Sequence, residues 1–391
     1  MDAPPRARWM EDGEAREALW RSERGAPPPA RIEVVDDRIT ADDAYGLAAQ
    51  GVGLLWRGDF QNARQILAAI ASRADRPPRK GAKARPASPA ASLQDAFHQE
   101  RQARAQRART LHMLLVPLDA SYAMRLRRAQ DVHDACREAY GAGHEDSLVS
   151  LREVLGLVGA HEWRRNGIPL AATGGHIHPH YGVFAPVRNE YVDLVARAPL
   201  PPALQEVPLA YDIGTGTGVL AAVLARRGVP RVVATDLDPR ALACARENVM
   251  RLKLASRIEV IRADLFPPEQ VPAARAALVV CNPPWVPARP SSPLEHGIYD
   301  PDSRMLRGFL AGLAAHLAPG GEGWLLLSDL AEHLGLRSRE VLLQWIADAG
   351  LTVVARLEAR PRHPKAADAS DALHRARTAE VTSLWRLAAR A

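Results

Sequence analysis

The sequence predicts an α/β fold: a doubly wound, mainly parallel sheet of seven strands over residues 166–391, preceded by an all-helical accessory region over residues 1–165. Three observations predict it. From about Leu204 short apolar runs alternate with helical segments. One strand–helix junction there is the glycine-rich stretch Tyr211–Gly218. In the first 165 residues, by contrast, apolar positions recur at three- and four-residue steps, the period of an amphipathic helix.

Strands are expected at Pro208–Ile213, Val232–Thr235, Ile258–Ile261, Ala277–Cys281, Gly323–Leu327, Leu351–Ala355 and Val381–Leu387. Helices are expected between them at about 218–228, 239–253, 302–318 and 337–349. Strands separated by helices imply crossover connections, hence parallel neighbours covered on both faces. Residues 359–379, with Pro361, Pro364 and two aspartates, read as a long loop joining antiparallel strands. Trp324 and Trp345 fall in a strand and a helix and read as core.

In the first half, Leu47, Leu54, Leu55, Ala63, Ile66, Leu67 and Ile70 give residues 41–72 a helical pattern. Further helices are expected over Leu93 to about Leu118, Ala129–Tyr140 and residues 147–165. The Pro-, Ala- and Arg/Lys-rich residues 74–92 lack apolar periodicity and read as a flexible linker. No internal repeat and no catalytic motif stands out in this half.

The formal charge of +6 sits in one place. Residues 73–109 hold ten Lys/Arg against three Asp/Glu, which leaves the remainder close to neutral. A solvated linker followed by a charged helix face is the first reading, an RNA-binding arm the second. Hydrophobic residues at 47% and charged residues at 25% are ordinary for a soluble chain. Residues 1–24 lack the apolar core of a secretory signal, and no run reaches the roughly 18 apolar residues of a membrane span. Cys136, Cys244 and Cys281 are far apart with no CxxC pair, which fits a reducing cytoplasm and no zinc ribbon. His176, His178 and His180 alternate, but without a carboxylate or cysteine nearby in sequence they read as a polar loop, and no metal is expected.

The junction Asp212-Ile-Gly-Thr-Gly-Thr-Gly218 has GxGxG spacing where the dinucleotide fingerprint has GxGxxG. Gly214, Gly216 and Gly218 let the backbone turn tightly and approach a ligand closely. Asp212 would repel a pyrophosphate but suits a ligand bearing an ammonium group. Asp236 closes the second strand 22 residues beyond Gly214, where a carboxylate can accept both hydroxyl bonds of a ribose. Asp264 follows the third strand, placed to accept from an adenine amino group while Leu265 packs on the ring. A helix N-cap is the ordinary use of each acid singly, but three acids at successive strand ends are not three caps. Together these residues resemble the first three motifs of class I S-adenosylmethionine-dependent methyltransferases. The resemblance implies a seven-stranded sheet with an antiparallel last strand, S-adenosylmethionine as cofactor, and binding of its methionine part at the glycine turn.

The fourth strand runs into Asn282-Pro283-Pro284-Trp285. Consecutive prolines hold this chain extended at the sheet edge, leaving the Asn282 amide and the Pro283 carbonyl as fixed acceptors. Two acceptors grip both N–H groups of a planar amino group and turn its lone pair towards a methyl carbon. Trp285 offers a face for a flat substrate. An NPPY/F/W motif here resembles methyltransferases acting on planar nitrogens. The segment His178–Tyr191 is similar to the strand and PRxETE segment of HemK/PrmC-type glutamine methyltransferases, and Glu295–Arg304 stands where that group is Gly-rich. The resemblance implies that Tyr181, Arg188 and Glu190 bind substrate and that a protein glutamine amide is the first choice of acceptor. An rRNA or tRNA base amino group is the alternative, and a non-catalytic binding protein on the same scaffold a second. Trp285 replaces the usual tyrosine, Val187 splits the Pro–Arg pair, and the Gly–Gly is missing.

Overall fold

The computed structural model describes residues 4–76, 92–268, 275–290, 295, 297–361 and 371–390. The chain divides into two compact units, Met1–Ala90 with His98–Glu162, and Ala91–Phe97 with Trp163–Ala391.

The first unit is not all-helical. It carries a six-stranded sheet of β1 (Arg6–Glu11), β2 (Glu14–Arg21), β3 (Arg31–Val35), β4 (Val52–Trp56), β5 (Leu114–Leu118) and β6 (Ser147–Ser150), in the order β1-β2-β6-β5-β4-β3. β1 with β2 and β5 with β6 are antiparallel pairs, and the other neighbours are parallel. The helices are α1 (Ala41–Ala49), α2 (Phe60–Ala74), α3 (Leu93–Leu111), α4 (His133–Tyr140) and α5 (Leu151–Asn166). Thr40 and Asp59 cap α1 and α2 by accepting from the Asp43 and Gln61 amides.

The helical expectation failed at particular residues. Leu54 and Leu55, counted into one helix over 41–72, lie on β4, whose five residues are all buried. Leu114–Leu118 and Ser147–Ser150 were likewise absorbed into neighbouring helices. A short strand buried on both faces has no alternation, so its apolar residues merge with a helical stripe on either side. The linker expected at 74–92 lies almost wholly outside the described residues; α2 ends at Ala74 and α3 starts at Leu93.

The second unit opens with a small antiparallel pair, β7 (Ile168–Leu170) and β8 (Gly175–Ile177). Its main sheet comprises β9 (Leu209–Ile213), β10 (Arg231–Asp236), β11 (Ile258–Arg262), β12 (Ala276–Cys281), β13 (Leu317–Ser328), β14 (Leu351–Ala359) and β15 (Thr382–Ala389). The order is β11-β10-β9-β12-β13-β15-β14, with β15 antiparallel to both neighbours. The seven expected strands and the antiparallel last strand are all present.

Helices α6 (Glu190–Arg197), α7 (Val219–Arg226), α8 (Pro239–Arg251), α9 (Arg304–His316), α10 (Leu330–His333), α11 (Arg339–Asp348) and α12 (His374–Ala379) accompany the sheet. Two apolar clusters follow from that layering. One joins Leu220, Val223, Val280 and Trp324, the other Phe309, Leu313, Leu325 and Trp385. Trp324 is fully buried, and Trp345 packs half-buried against the second cluster. α12 lies in the connection expected to be a loop; residues 362–370 of it lie outside the described residues. Among the described residues no helix is long and apolar enough to cross a membrane.

The register fixes the site. Ile213 of β9 pairs with Thr235 of β10 and with Cys281 of β12. Gly214, Asp236 and Asn282 therefore emerge together at one carboxyl edge. They do so where the strand order reverses between β9 and β12, the place where open α/β sheets bind ligands.

Candidate active site

A cleft of about 460 Å³ opens at that edge. Gly214, Thr215, Gly216 and Thr217 form its floor, with Asp236, Asp264 and Leu265 on one side and Asn282 and Pro284 at the end. Its volume is within the range that encloses a cofactor-sized ligand.

The turn after β9 exists because glycine can take it: φ is +69° at Gly214, +56° at Gly216 and +80° at Gly218. A Cβ on Gly214 would stand 2.3 Å from the Met305 side chain, whereas one on Gly216 would meet nothing within 4 Å. Gly216 thus borders the open space a ligand needs.

Asp212 lies behind the turn and not in the cleft wall. It is fully buried, and its Oδ2 accepts from the Thr215 hydroxyl at 2.6 Å and the Ala221 amide at 3.0 Å. These bonds tie the strand end to the turn and to the first turn of α7. Burial pushes its carboxyl up to about 6, against the pull of both hydrogen bonds. Asp212, expected among the cofactor-binding residues, does not line the cleft.

Asp236 faces the cleft and accepts from the Gly216 amide at 2.9 Å and the Asp238 amide at 3.0 Å. Burial raises its pKa, and those amides oppose the shift. Asp264 is half-exposed and pairs with Arg304 at 2.8 Å. Leu265 adopts φ +70°, an unusual conformation for leucine, while its carbonyl accepts from the Thr235 hydroxyl at 2.5 Å. That bond holds the backbone of the cleft's side wall against the end of β10.

At the far end, Asn282 and Pro284 line the cleft, but Pro283 is buried and Trp285 stands behind the wall. The Trp285 indole N–H donates to Asn282 Oδ1 at 2.9 Å, which orients the amide. The Pro283 carbonyl accepts no hydrogen bond among the described residues. One face of Trp285 is covered by the Arg188 guanidinium at 5.3 Å, and its ring meets Tyr191 edge-on at 6.5 Å. Trp285, expected to stack a substrate, is packed against Arg188 and Tyr191 and is not among the residues lining the cleft.

Arg188 and Glu190 do not line the cleft either. Arg188 donates to Glu190 at 2.8 Å and to Glu380 at 3.0 Å, and Ser328 donates to Glu380 at 2.7 Å. Both carboxylates are buried, and they hold the Arg188 guanidinium above its ordinary pKa although burial opposes them. Tyr181 also lies outside the cleft wall, with Arg240 5.9 Å from its ring. Its segment reaches the cleft through Gly182, Val183 and Phe184 instead.

The histidine loop has partners that sequence distance hid. His180 Nε2 meets Glu247 at 2.7 Å, and the Cys244 thiol approaches the His178 carbonyl at 3.4 Å. Burial opposes ionisation of Glu247, but bonds from His180, Arg164 and Arg251 hold its carboxyl down at about 2. Among the described residues no group of three or more His, Cys, Asp or Glu is placed to hold a metal.

Two further residues shape the acceptor end and carry no motif. Buried Asp300 accepts from the Met305 and Leu306 amides at 3.0 and 3.1 Å, which caps α9 after the left-handed pair Asp302 and Ser303. Buried Arg337 reaches the Trp285 carbonyl at 3.4 Å and the Ser303 hydroxyl at 3.5 Å. Only spatial proximity identifies them.

The methyltransferase small domain family matches residues 176–338. The release factor glutamine methyltransferase of Cereibacter sphaeroides is 35% identical over 163 residues, 39% of this chain and 56% of that protein. The ribosomal protein L11 methyltransferase of Pelotomaculum thermopropionicum is 47% identical over 72 residues, 18% of this chain and 22% of that protein. The tRNA1(Val) (adenine(37)-N6)-methyltransferase of Cronobacter sakazakii is 33% identical over 165 residues, 36% of this chain and 67% of that protein. The chain thus spans little more than half of the first of these relatives and less of the second. With S-adenosylmethionine as the family's cofactor and a glycine turn, Asp236 and Asn282 at one sheet edge, the chain belongs to the methyltransferase small domain family of S-adenosylmethionine-dependent methyltransferases.

Proposed function

We propose that this protein transfers the methyl group of S-adenosylmethionine to a planar nitrogen, and that the acceptor is a glutamine side-chain amide on a protein. The observation that carries the reaction class is the placement of Asn282 and Pro284 at the end of the cleft that the glycine turn floors. Bound S-adenosylmethionine supplies an electrophilic methyl on a good leaving group. Gly214–Thr217 would hold its methionine part, Asp236 its ribose, and Asp264 with Leu265 its adenine. Asn282 Oδ1 and the Pro283 carbonyl would accept the two N–H bonds of the acceptor, orienting the nitrogen for attack. Pro284 confines the nitrogen from the side, and Trp285 fixes Asn282.

Charge in the cleft favours an amide over a nucleotide. Among the described residues its lining carries Asp236, Asp238 and Asp264 against Arg304, and that arginine pairs with Asp264. A phosphodiester near such a wall would be repelled, whereas a neutral amide beside a cationic cofactor would not. A glutamine methyltransferase among the relatives points the same way. The second reading, methylation of an adenine or guanine amino group in RNA, is favoured by the similarity to a tRNA adenine methyltransferase. A purely binding role would leave Asn282 at the end of the cleft without use. Three free, buried cysteines support a cytoplasmic setting.

The test is transfer of labelled methyl into a cell lysate split into RNase-treated and protease-treated halves. Label that survives RNase and is lost with protease supports the glutamine reading. Label lost with RNase would replace it by the RNA reading, and no transfer at all would remove both.

A further inference from the structure

One residue of the basic segment singled out in the sequence, Arg107, lies in the first unit near two arginines that the cleft does not explain. β2 and β6 are parallel, and β5 runs antiparallel to β6, so the ends of β2 and β6 and the start of β5 share one sheet edge. Arg24 follows β2, Arg152 stands in the first turn of α5 directly after β6, and His112 precedes β5. Arg107 of α3 lies one turn before His112.

These groups feel one another's charge. Arg24 is 3.3 Å from His112 Nδ1, but that nitrogen already meets the Ala108 carbonyl at 2.6 Å, so it has no lone pair to offer. Burial, offset by the Ala108 bond, pushes His112 down to about 4, with Arg24 and Arg152 adding to the fall. Partial burial, Arg107 and Arg24 lower the pKa of Arg152. Among the described residues neither Arg24 nor Arg152 forms an ion pair, and Arg152 has no hydrogen bond.

The nearby carboxylates do not relieve this. Asp75 is engaged by Arg107 at 2.6 and 2.9 Å. Glu153 is buried, and the Tyr140 hydroxyl and Glu23 amide both donate to its Oε1, at 2.6 and 3.0 Å. Two further features mark an anion's place. A cation in the first turn of a 16-residue helix opposes the helix dipole, whereas an anion there is stabilised by the free amides. The Ser150 hydroxyl, one residue before α5, is buried without a hydrogen-bond partner.

We propose that this edge of the first unit, with Arg24 and Arg152 at the start of α5 and Arg107, held by Asp75, beside them, docks the phosphate backbone of an RNA. The proposal does not rest on the choice of methyl acceptor. Guanidiniums suit it because their planar fork matches phosphate oxygens, and two from separate segments, neither ion-paired among the described residues, can grip successive phosphates of a backbone. Phosphate contacts of this kind position a partner without reading its sequence.

Binding of a fluorescent mixed-sequence single-stranded RNA to the full chain, measured against salt, tests it. Affinity should fall with rising NaCl, and Arg24→Glu with Arg152→Glu should weaken binding about tenfold or more, lowering the log–log salt slope by about 0.7 per lost contact. The double variant Arg8→Glu with Arg38→Glu changes net charge equally at exposed sites outside the cluster and should leave affinity within about twofold. Thermal denaturation and S-adenosylmethionine affinity should match wild type for both variants. Equal weakening by the two double variants would overturn the site. So would unchanged binding in Arg24→Glu/Arg152→Glu, or binding of inorganic phosphate without RNA.

Discussion

The two ends of the cleft are built differently. At the cofactor end the functional groups face the open space: glycine backbone at Gly214–Gly216, and the carboxylates of Asp236 and Asp264. At the acceptor end, among the described residues, Asn282, Pro284 and Tyr191 line the cleft, while Trp285, Arg188 and Glu190 pack behind them. On the proposed reading one end holds the cofactor directly and the other holds the side chain that grips the acceptor. Substitutions at the first should appear in cofactor affinity and substitutions at the second in turnover.

The sharpest division is expected from Asn282→Ala. If Asn282 grips the acceptor only as the reaction proceeds, turnover should fall on the order of 100- to 1000-fold, while S-adenosylmethionine affinity stays within about twofold. Single-turnover kinetics with calorimetry separates the two. Parallel losses in both would mean that Asn282 supports the cleft as a whole.

Asp236→Ala should give the reverse pattern. The carboxylate accepts from the Gly216 amide and is placed for the ribose hydroxyls. Losing hydrogen bonds to a charged acceptor costs about 1.5–3 kcal/mol, or roughly 10- to 100-fold in cofactor affinity. At saturating cofactor most turnover should return. An unchanged Kd in a folded variant would remove the ribose assignment.

The same contrast explains what the sequence disclosed. A backbone that must turn beside a ligand needs glycine at φ values other residues avoid, so Gly214, Gly216 and Gly218 announce themselves, as do acids at the ends of β10 and β11. Motif spacing also located Asn282. It did not reveal that the Trp285 ring faces inward, because that depends on Arg188 meeting Glu380, 192 residues away. Arg337 and Asp300 were silent for the same reason. The first unit failed on another ground: β4, β5 and β6 are short, and β4 and β6 are buried throughout, so no alternation separates them from their helices.

Trp285→Phe probes the wall more gently. It keeps an aromatic ring between Arg188 and Tyr191 but removes the N–H that orients Asn282. A neutral hydrogen bond is worth about 0.5–1.5 kcal/mol, so turnover should fall about 2- to 10-fold with cofactor affinity unchanged. A larger loss that a flat aromatic acceptor suffers and an amide does not would restore Trp285 as a stacking surface.

The smallest effect should come from protons. Asp212 has a carboxyl pushed up to about 6 in the folded protein from an ordinary 3.8. The folded state therefore keeps a proton that the unfolded chain releases, so this group's contribution to stability is fully present below about 3.8 and is lost as pH rises through about 6. A cationic cofactor draws the other way, because it favours the carboxylate behind the turn. S-adenosylmethionine affinity should thus tighten by about two- to fivefold as pH rises from 5 to 7.5, the screening of a buried charge at second remove keeping the effect modest. Asp212→Asn can keep the Thr215 and Ala221 bonds through its amide oxygen and should flatten that profile. Asp236, also raised by burial, leaves a residual slope of the same sign. An Asp212→Asn profile as steep as wild type would assign the pH dependence to Asp236 and remove Asp212 from the attraction for the cofactor.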